Sequence, residues 1–338
     1  MSRRFLARKY NRDFPPDAFS SSEPAPADTI YLNIGDPDIL TPKVILDAAF
    51  ADAYAGHTKY TDTRGYPELR QEILNFWRNR YGVALQDENI CVTASGQFGM
   101  FVACQTVIDP GDEVLIIEPY FLPYYAAVEM AGGVPVFVST RFEEGFAIKP
   151  ERLEAAVTEK TKALIINNPN NPTGAAYSLE TLEAVADFAR RHDLLVLADD
   201  IYTSFDYTKP FIPIASLPGM FERTVTVNSG SKNFVMTGMR SGSATSWRTR
   251  TSSMPQRFMS KPPPIPPHPF HSGPCFMPSG ILRSSSRTWP VCSGNGWSMP
   301  MRVCRRCRSS KSCRFRGHSI SSPVSERAVW TGQLSQPC

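Results

Sequence analysis

Five short apolar runs, separated by helical patterns, constrain the fold of this chain more than any other feature of its sequence. They lie at Val114–Ile117, Val134–Val138, Ala163–Ile166, Leu194–Ala198 and Thr224–Val227. Continuous runs of this kind are typical of strands buried on both faces of a parallel sheet. Their alternation with helices predicts an α/β sandwich with right-handed crossovers.

Two of the predicted helices carry clear terminal signals. Residues 67–81 begin with Pro67, which suits the first helical position, and place apolar side chains on one face. Residues 178–192 begin at Ser178, a good N-cap, and also have a continuous apolar face. We therefore expect a helix in each segment.

The charge is divided unevenly along the 338 residues. Residues 1–240 hold 22 Lys and Arg against 31 Asp and Glu, whereas residues 241–338 hold 14 basic residues and one acid, Glu326. The net +4 is therefore an average of an acidic and a basic part. Because the basic excess lies in a Pro-rich tail without apolar periodicity, the chain is not expected to bind nucleic acid.

The length of the apolar runs and the positions of the cysteines indicate where the protein is located. No apolar run approaches the roughly 18 residues that suggest a membrane span, so no membrane association is expected. Only Cys91 and Cys104 precede Cys275, which favours a reducing compartment. We expect a cytoplasmic protein.

Polar side chains of several kinds follow the predicted strands. The segments are NNPNNPTG (167–174), DDIY (199–202), and NSGSK (228–232) with Arg240 eight residues later. Because ligands of open α/β sheets bind beyond the carboxyl ends of the strands, these groups are expected to converge. Farther upstream, Ser95, Gly96 and Gln97 open a helical run after an apolar strand end, where free amides of a helix N-terminus could hold a phosphate.

These motifs, with LNIGDPD (32–38) and KYTDTRGYPELR (59–70), occur in an order that resembles the class I/II aminotransferases of fold type I. The resemblance covers about residues 29–240. It implies a three-layer α/β/α sandwich with a mostly parallel sheet, pyridoxal 5′-phosphate as cofactor, and a homodimer. The implied reaction moves an amino group between an amino acid and a 2-oxo acid by a ping-pong route.

The resemblance also implies roles for individual residues. Lys232 would form the Schiff base with the cofactor and later move a proton. Asp199 would pair with the ring nitrogen, and Asn171 and Tyr202 would hydrogen-bond the phenolic oxygen. Lys232, Asp199 and Tyr202 are thus the predicted catalytic groups.

The remaining implied contacts surround the cofactor. Phe121 would stack on the ring. The predicted phosphate ligands are Ser95, Gly96, Gln97, Ser229 and Arg240, with Tyr60 reaching the phosphate of a neighbouring subunit. Gly35 and Asn171 would contact the substrate, and no metal ligand is expected.

The family pattern is expected to stop after Arg240, where an apolar strand and a small C-terminal domain should follow. That domain would carry the arginine that binds the substrate carboxylate, and none is identifiable in residues 241–338. Three interpretations of residues 241–338 remain: a frameshift, a genuine disordered basic tail, or a metal or nucleic-acid module built on Cys304, Cys307 and Cys313. The expected division is an irregular arm at 1–28, a cofactor-binding domain with part of the small domain at 29–240, and an aberrant tail.

The loss of the family pattern predicts a chain without an edge strand of the large domain and without most of the small domain, whose C-terminal part is missing or replaced. Such a chain should be poorly soluble and have little or no turnover, because apolar surface would face solvent. Two alternatives to an aminotransferase stay open. One is a related lyase, either a carbon–sulfur β-lyase or an aminocyclopropane-carboxylate-synthase-like enzyme; the other is a non-catalytic pseudoenzyme.

Overall fold

The computed structural model describes residues 35–207, 209–240 and 242–245, so the N-terminal arm and residues 246–338 lie outside the described part of the chain. The described residues form seven α-helices and seven β-strands. The helices are α1 (Lys43–Tyr54), α2 (Pro67–Tyr81), α3 (Gly96–Val107), α4 (Pro123–Met130), α5 (Pro150–Ala156), α6 (Leu179–Arg191) and α7 (Gly230–Asn233). The strands are β1 (Ile90–Thr93), β2 (Glu113–Glu118), β3 (Val134–Ser139), β4 (Thr161–Asn167), β5 (Leu195–Asp199), β6 (Thr224–Asn228) and β7 (Gly242–Thr245).

All seven strands form one sheet in the order β1-β7-β6-β5-β4-β2-β3. The five predicted strands are present as β2 to β6, each within one or two residues of its expected bounds, and they pair in parallel. Strand β7 is antiparallel to both of its neighbours. The sheet is therefore mostly parallel, as expected.

The presence of β7 corrects one expectation. We expected no strand after Arg240, but Gly242–Thr245 pairs with β1 on one side and with β6 on the other. The strand is short and lacks large apolar residues, so its sequence gives little sign of it. Backbone hydrogen bonds to β1 and β6 hold this strand in the sheet.

Helices cover both faces of the sheet and make a three-layer α/β/α sandwich. One apolar cluster joins the sheet to α5 and α6 and includes Leu115, Leu164 and Phe188. A second cluster joins the opposite face to α3 and α4 and includes Ile116 and Ile165. Adjacent residues of one strand thus enter different clusters, which explains why the strands are apolar without alternation.

Local signals placed two helices correctly. Helix α2 begins at Pro67 and ends before Gly82, which adopts the left-handed conformation (φ 68°) common after helix C-termini. Helix α6 has Ser178 as its N-cap, and the Ser178 Oγ accepts the Thr181 amide at 3.1 Å. Among the described residues, no helix is both long and apolar enough to cross a membrane.

Candidate functional site

The carboxyl ends of β4, β5 and β6 lie side by side and bring the predicted polar segments together. Asn167 and Asp199 are register partners at the ends of β4 and β5. The Asn167 Nδ2 donates to the Asp199 carbonyl at 2.8 Å, and the Asn167 Oδ1 accepts the Asn171 amide at 2.6 Å. The amide of Asn167 therefore ties the NNPNNPTG turn to the end of the next strand, a role that the sequence did not reveal.

Asp199 is a buried carboxylate, 7 % exposed, at the end of β5. Its Oδ1 accepts the Ile201 amide at 3.3 Å and its Oδ2 accepts the Tyr124 hydroxyl at 2.6 Å. Burial raises the pKa of Asp199 to about 6, although both hydrogen bonds oppose the rise. No Lys or Arg in the described ranges forms an ion pair with this carboxylate.

Asn171 and Tyr202 are also adjacent, as the resemblance implied. Burial and the nearby charge of Asp199 raise the pKa of Tyr202 to about 12, although the neighbouring Asn171 side chain opposes part of the rise. The tyrosine therefore keeps its proton at neutral pH and can donate a hydrogen bond. A neutral amide and a phenol lie next to the buried acid.

Lys232 is half-buried on α7, directly after β6. Burial lowers the pKa of Lys232, and the negative charge of Asp36 opposes part of that shift. A lysine whose pKa is lowered is more readily deprotonated, and the neutral amine is the nucleophilic form. Asp36, which also accepts a hydrogen bond from Thr237 Oγ1 at 2.8 Å, was not recognised in the sequence.

The N-terminus of α3 forms a second polar surface of the site. Ser95 is the N-cap, and its Oγ accepts the Phe98 amide at 3.1 Å. Gly96 is packed so closely that an added Cβ would lie 3.3 Å from Ile201 Cδ1 and 3.5 Å from Ser229 Cβ. The helix start therefore lies against the loops after β5 and β6, while Gln97 is exposed.

Ser229 and Arg240, both predicted phosphate ligands, differ in their surroundings. Ser229 is 5 % exposed, and its Oγ accepts the Ser231 amide at 2.9 Å. Arg240 is exposed and has a left-handed backbone (φ 54°). Its guanidinium donates to the Thr237 carbonyl at 3.1 Å, so its phosphate role stays a prediction.

Phe121, Tyr60 and Gly35 are the remaining predicted site residues. Phe121 is half-buried and meets the Tyr124 ring edge-on, with centroids 5.6 Å apart. Tyr60 is 94 % exposed, and Gly35 is exposed with open space around its Cα. The predicted roles of Tyr60 with a neighbouring subunit and of Gly35 with substrate remain predictions.

The groups that converge here fit pyridoxal 5′-phosphate. A buried carboxylate without a cationic partner among the described residues suits a protonated ring nitrogen, and a lysine with a lowered pKa suits an aldehyde. The amide and phenol of Asn171 and Tyr202 suit a phenolic oxygen. The start of α3 supplies amides for a phosphate.

Comparisons with known proteins agree with this chemistry. The family model "Aminotransferase class I and II" matches residues 27–259, so the family pattern extends beyond Arg240. The aspartate/prephenate aminotransferase of Thermus thermophilus is 43 % identical over 218 residues, which cover 64 % of this chain and 56 % of that protein. The aspartate aminotransferase of Bacillus subtilis is 40 % identical over 219 residues, with the same coverage. This chain thus matches a little over half the length of these relatives.

Comparison with solved structures also finds aminotransferases. The aromatic aminotransferase of Pyrococcus horikoshii superposes with a TM-score of 0.70 and 36 % identity, covering 77 % of this chain and 70 % of the other. The aspartate aminotransferase of Thermus thermophilus with maleate superposes with a TM-score of 0.68 and 36 % identity, covering 76 % and 64 %. Both solved structures therefore share the fold of this chain.

Proposed function

The chain belongs to the class I and II aminotransferases, a fold type I family, and from that membership we propose that it binds pyridoxal 5′-phosphate covalently through Lys232 and uses it in amino-group transfer. The substrates would be an amino acid and a 2-oxo acid. The observation that carries the proposal is the convergence of Lys232, Asp199, Asn171 and Tyr202 at one edge of the sheet.

When bound, the cofactor supplies an aldehyde that a lysine amine can capture and a ring that withdraws electrons from a substrate carbon. Lys232 would hold that aldehyde and, once released, move a proton at the substrate Cα. Asp199 would hold a proton on the ring nitrogen by its negative charge. Asn171 and Tyr202 would orient the phenolic oxygen by hydrogen bonds.

The other contacts would fix the cofactor in place. The start of α3, with Ser95, Gly96 and Gln97, would bind the phosphate together with Ser229 and Arg240. Phe121 would lie against one face of the ring, and Tyr60 would reach the phosphate in a second subunit of a homodimer. Gly35 and Asn171 would face the substrate. We place this reaction in amino-acid metabolism in the cytoplasm.

The relatives named above act on aspartate, prephenate or aromatic substrates by their names, so dicarboxylic and aromatic amino acids are the first to try. The alternative without catalysis stays open, because no arginine for the substrate carboxylate was identified in the sequence. A chain that binds the cofactor but does not turn over substrate would support that alternative.

Covalent trapping tests the cofactor role directly. The full chain is incubated with pyridoxal 5′-phosphate and reduced with borohydride, and its peptides are weighed by mass spectrometry. We expect the label on the peptide that contains Lys232, and none in Lys232→Ala. Lys209→Ala is the matched control, because this lysine instead donates to the Tyr177 carbonyl at 2.8 Å. Labelling spread over surface lysines in both variants would contradict the proposal.

Turnover is measured separately with aspartate or phenylalanine as donor and 2-oxoglutarate as acceptor. Specific labelling with transfer supports the aminotransferase. With cystathionine, which carries a sulfur leaving group on Cβ, labelling with release of a thiol, ammonia and pyruvate, without an acceptor, would favour the carbon–sulfur β-lyase. Specific labelling with no reaction would favour the pseudoenzyme.

A further inference from the structure

A buried hydrogen bond joins two residues that are 75 positions apart in the sequence. The Tyr124 hydroxyl lies 2.6 Å from the Asp199 Oδ2, and the two residues are 3 % and 7 % exposed. Tyr124 is in the first turn of α4, whereas Asp199 ends β5. The pair therefore links the helix layer to the carboxyl end of the sheet, inside the proposed cofactor site.

We propose that Tyr124 is a positioning residue for this site: its hydroxyl fixes the orientation of the Asp199 carboxylate and stabilises the negative charge that the cofactor nitrogen requires. The inference rests on the proposed function, because it assigns a task to Asp199. Tyr124 itself is not expected to touch the reacting atoms. It acts through Asp199 alone.

The geometry supports a directed role for this hydroxyl. Tyr124 donates to Oδ2, so the other oxygen, Oδ1, is left to the Ile201 amide at the longer distance of 3.3 Å. A carboxylate oxygen has two acceptor sites, and Oδ1 can therefore take a second, charged donor. Holding one oxygen at 2.6 Å fixes the plane in which the other presents its lone pairs.

The electrostatic surroundings make this donor important. The titratable groups around Asp199 are Asp200 beside it in the chain, Tyr202 after it and Tyr124 from α4; Tyr177 neighbours Tyr124. Burial raises the pKa of Tyr124 far above its usual range, so the hydroxyl keeps its proton and remains a donor. In the described part of the chain, none of these groups is a cation. Hydrogen bonds therefore carry the stabilisation of the Asp199 charge.

A double-mutant cycle separates this role from simple core packing. Tyr124→Phe keeps the ring and removes only the oxygen. The dissociation constant for pyridoxal 5′-phosphate is measured from quenching of intrinsic fluorescence in the full chain, in Y124F, in D199N and in the double variant. At pH 7 we expect Y124F to bind about tenfold more weakly, and its effect in the D199N background to fall below about twofold. An equal loss in both backgrounds would overturn the proposal.

The pH dependence gives a second readout, which does not depend on the cofactor. In the unliganded chain, infrared spectroscopy follows the protonated-carboxyl band that is missing from D199N. We expect its midpoint to move upward in Y124F, because the ionised form has lost a donor. Tyr177→Phe is the control, since Tyr177 is also buried (6 % exposed) and Asp199 is not held by it; its midpoint should stay at the wild-type value.

The two readouts distinguish failure of the inference from failure of the proposed function. If the wild-type chain binds no pyridoxal 5′-phosphate, the proposed function fails, and the infrared midpoint still decides whether Tyr124 stabilises the Asp199 charge. An unchanged midpoint in Y124F would overturn the inference even if the cofactor binds. A raised midpoint, together with loss of affinity only where Asp199 is present, would support both.

Discussion

The strand ends, here the strand-end side, and the segment around α1, here the exposed side, are two regions of the molecule that differ in burial. At the strand ends Asp199, Asn228 and Ser229 are all at least nine-tenths buried, and most of their polar atoms have partners at fixed distances. Around α1, by contrast, Tyr54 and Tyr60 are about nine-tenths exposed. Only Ile45 and Ala49 are buried on that helix.

This contrast separates side chains whose positions are fixed by contacts within the chain from side chains whose positions are not. A buried polar group must find its partner within the fold, so the geometry of the strand ends is closely specified. An exposed side chain has no such requirement. Among the predicted contacts, Asp199 and Ser229 are buried at the strand ends, whereas Tyr60 is exposed.

Gly242→Ala should have the largest effect, because it tests the most crowded point of the strand-end side. A Cβ at Gly242 would overlap the backbone of Ser95 and Gly96. Since neither strand β7 nor the start of α3 can move without breaking backbone bonds, we expect a loss of about 3 kcal/mol or more in the free energy of unfolding. Urea unfolding followed by circular dichroism measures it.

The matched control for that change is Gly238→Ala, where an added Cβ meets open space. It should alter the free energy of unfolding by less than about 1 kcal/mol. If the two glycine variants unfolded alike, strand β7 would not pack against the helix start as described. The space around Gly242 would then be less crowded than the burial of the strand ends suggests.

Asp199→Asn should have the next largest effect, and with the opposite sign. The folded pKa of Asp199 is raised from 3.8 to about 6, so the folded chain binds the proton more tightly than the unfolded chain. Stability should therefore fall as the pH rises through this window, and above it the full burial penalty is present. We expect the unliganded variant to be about 2 kcal/mol more stable than the wild type at pH 8, with the gain shrinking as the pH falls towards 4.

The same pH series with Asp47→Asn is the control, since the Asp47 side chain is 61 % exposed. No pH-dependent gain is expected there. A gain of equal size in D47N would mean that the effect reflects net charge and not burial. If D199N were less stable than wild type at pH 8, the hydrogen bonds to the carboxylate would outweigh its burial.

Local signals explain which parts of the fold the sequence predicted well. Pro67 and Ser178 act on their own helix starts, so α2 and α6 were placed to within a residue. The buried strands followed from their apolar content. Strand β7 was not predicted. Gly242 lies very close to the start of α3, and a tertiary contact of this kind leaves no periodic pattern in the sequence.

The site residues also divide into those that local sequence predicted and those that depend on tertiary contacts. Asp199, Asn171, Tyr202 and Lys232 lie in or directly after three strands that the sequence predicted, and these strands are neighbours in the sheet, as the rule for open α/β sheets requires. Tyr124 was missed although it stands three residues after Phe121, because its partner is 75 residues away and depends on how α4 packs on the sheet. Distant pairing of this kind is not visible in local sequence.

Lys43→Ala should have the smallest effect, because it tests the exposed side. Lys43 and Asp47 form an i,i+4 ion pair at 2.7 Å on α1, with side chains 85 % and 61 % exposed. Solvent screens such a pair, so removing it should change the free energy of unfolding by less than about 0.5 kcal/mol, and less still in high salt. Urea unfolding at two salt concentrations measures this. A loss above about 1 kcal/mol would mean that α1 is held as tightly as the strand ends, and the contrast between the two sides would no longer stand.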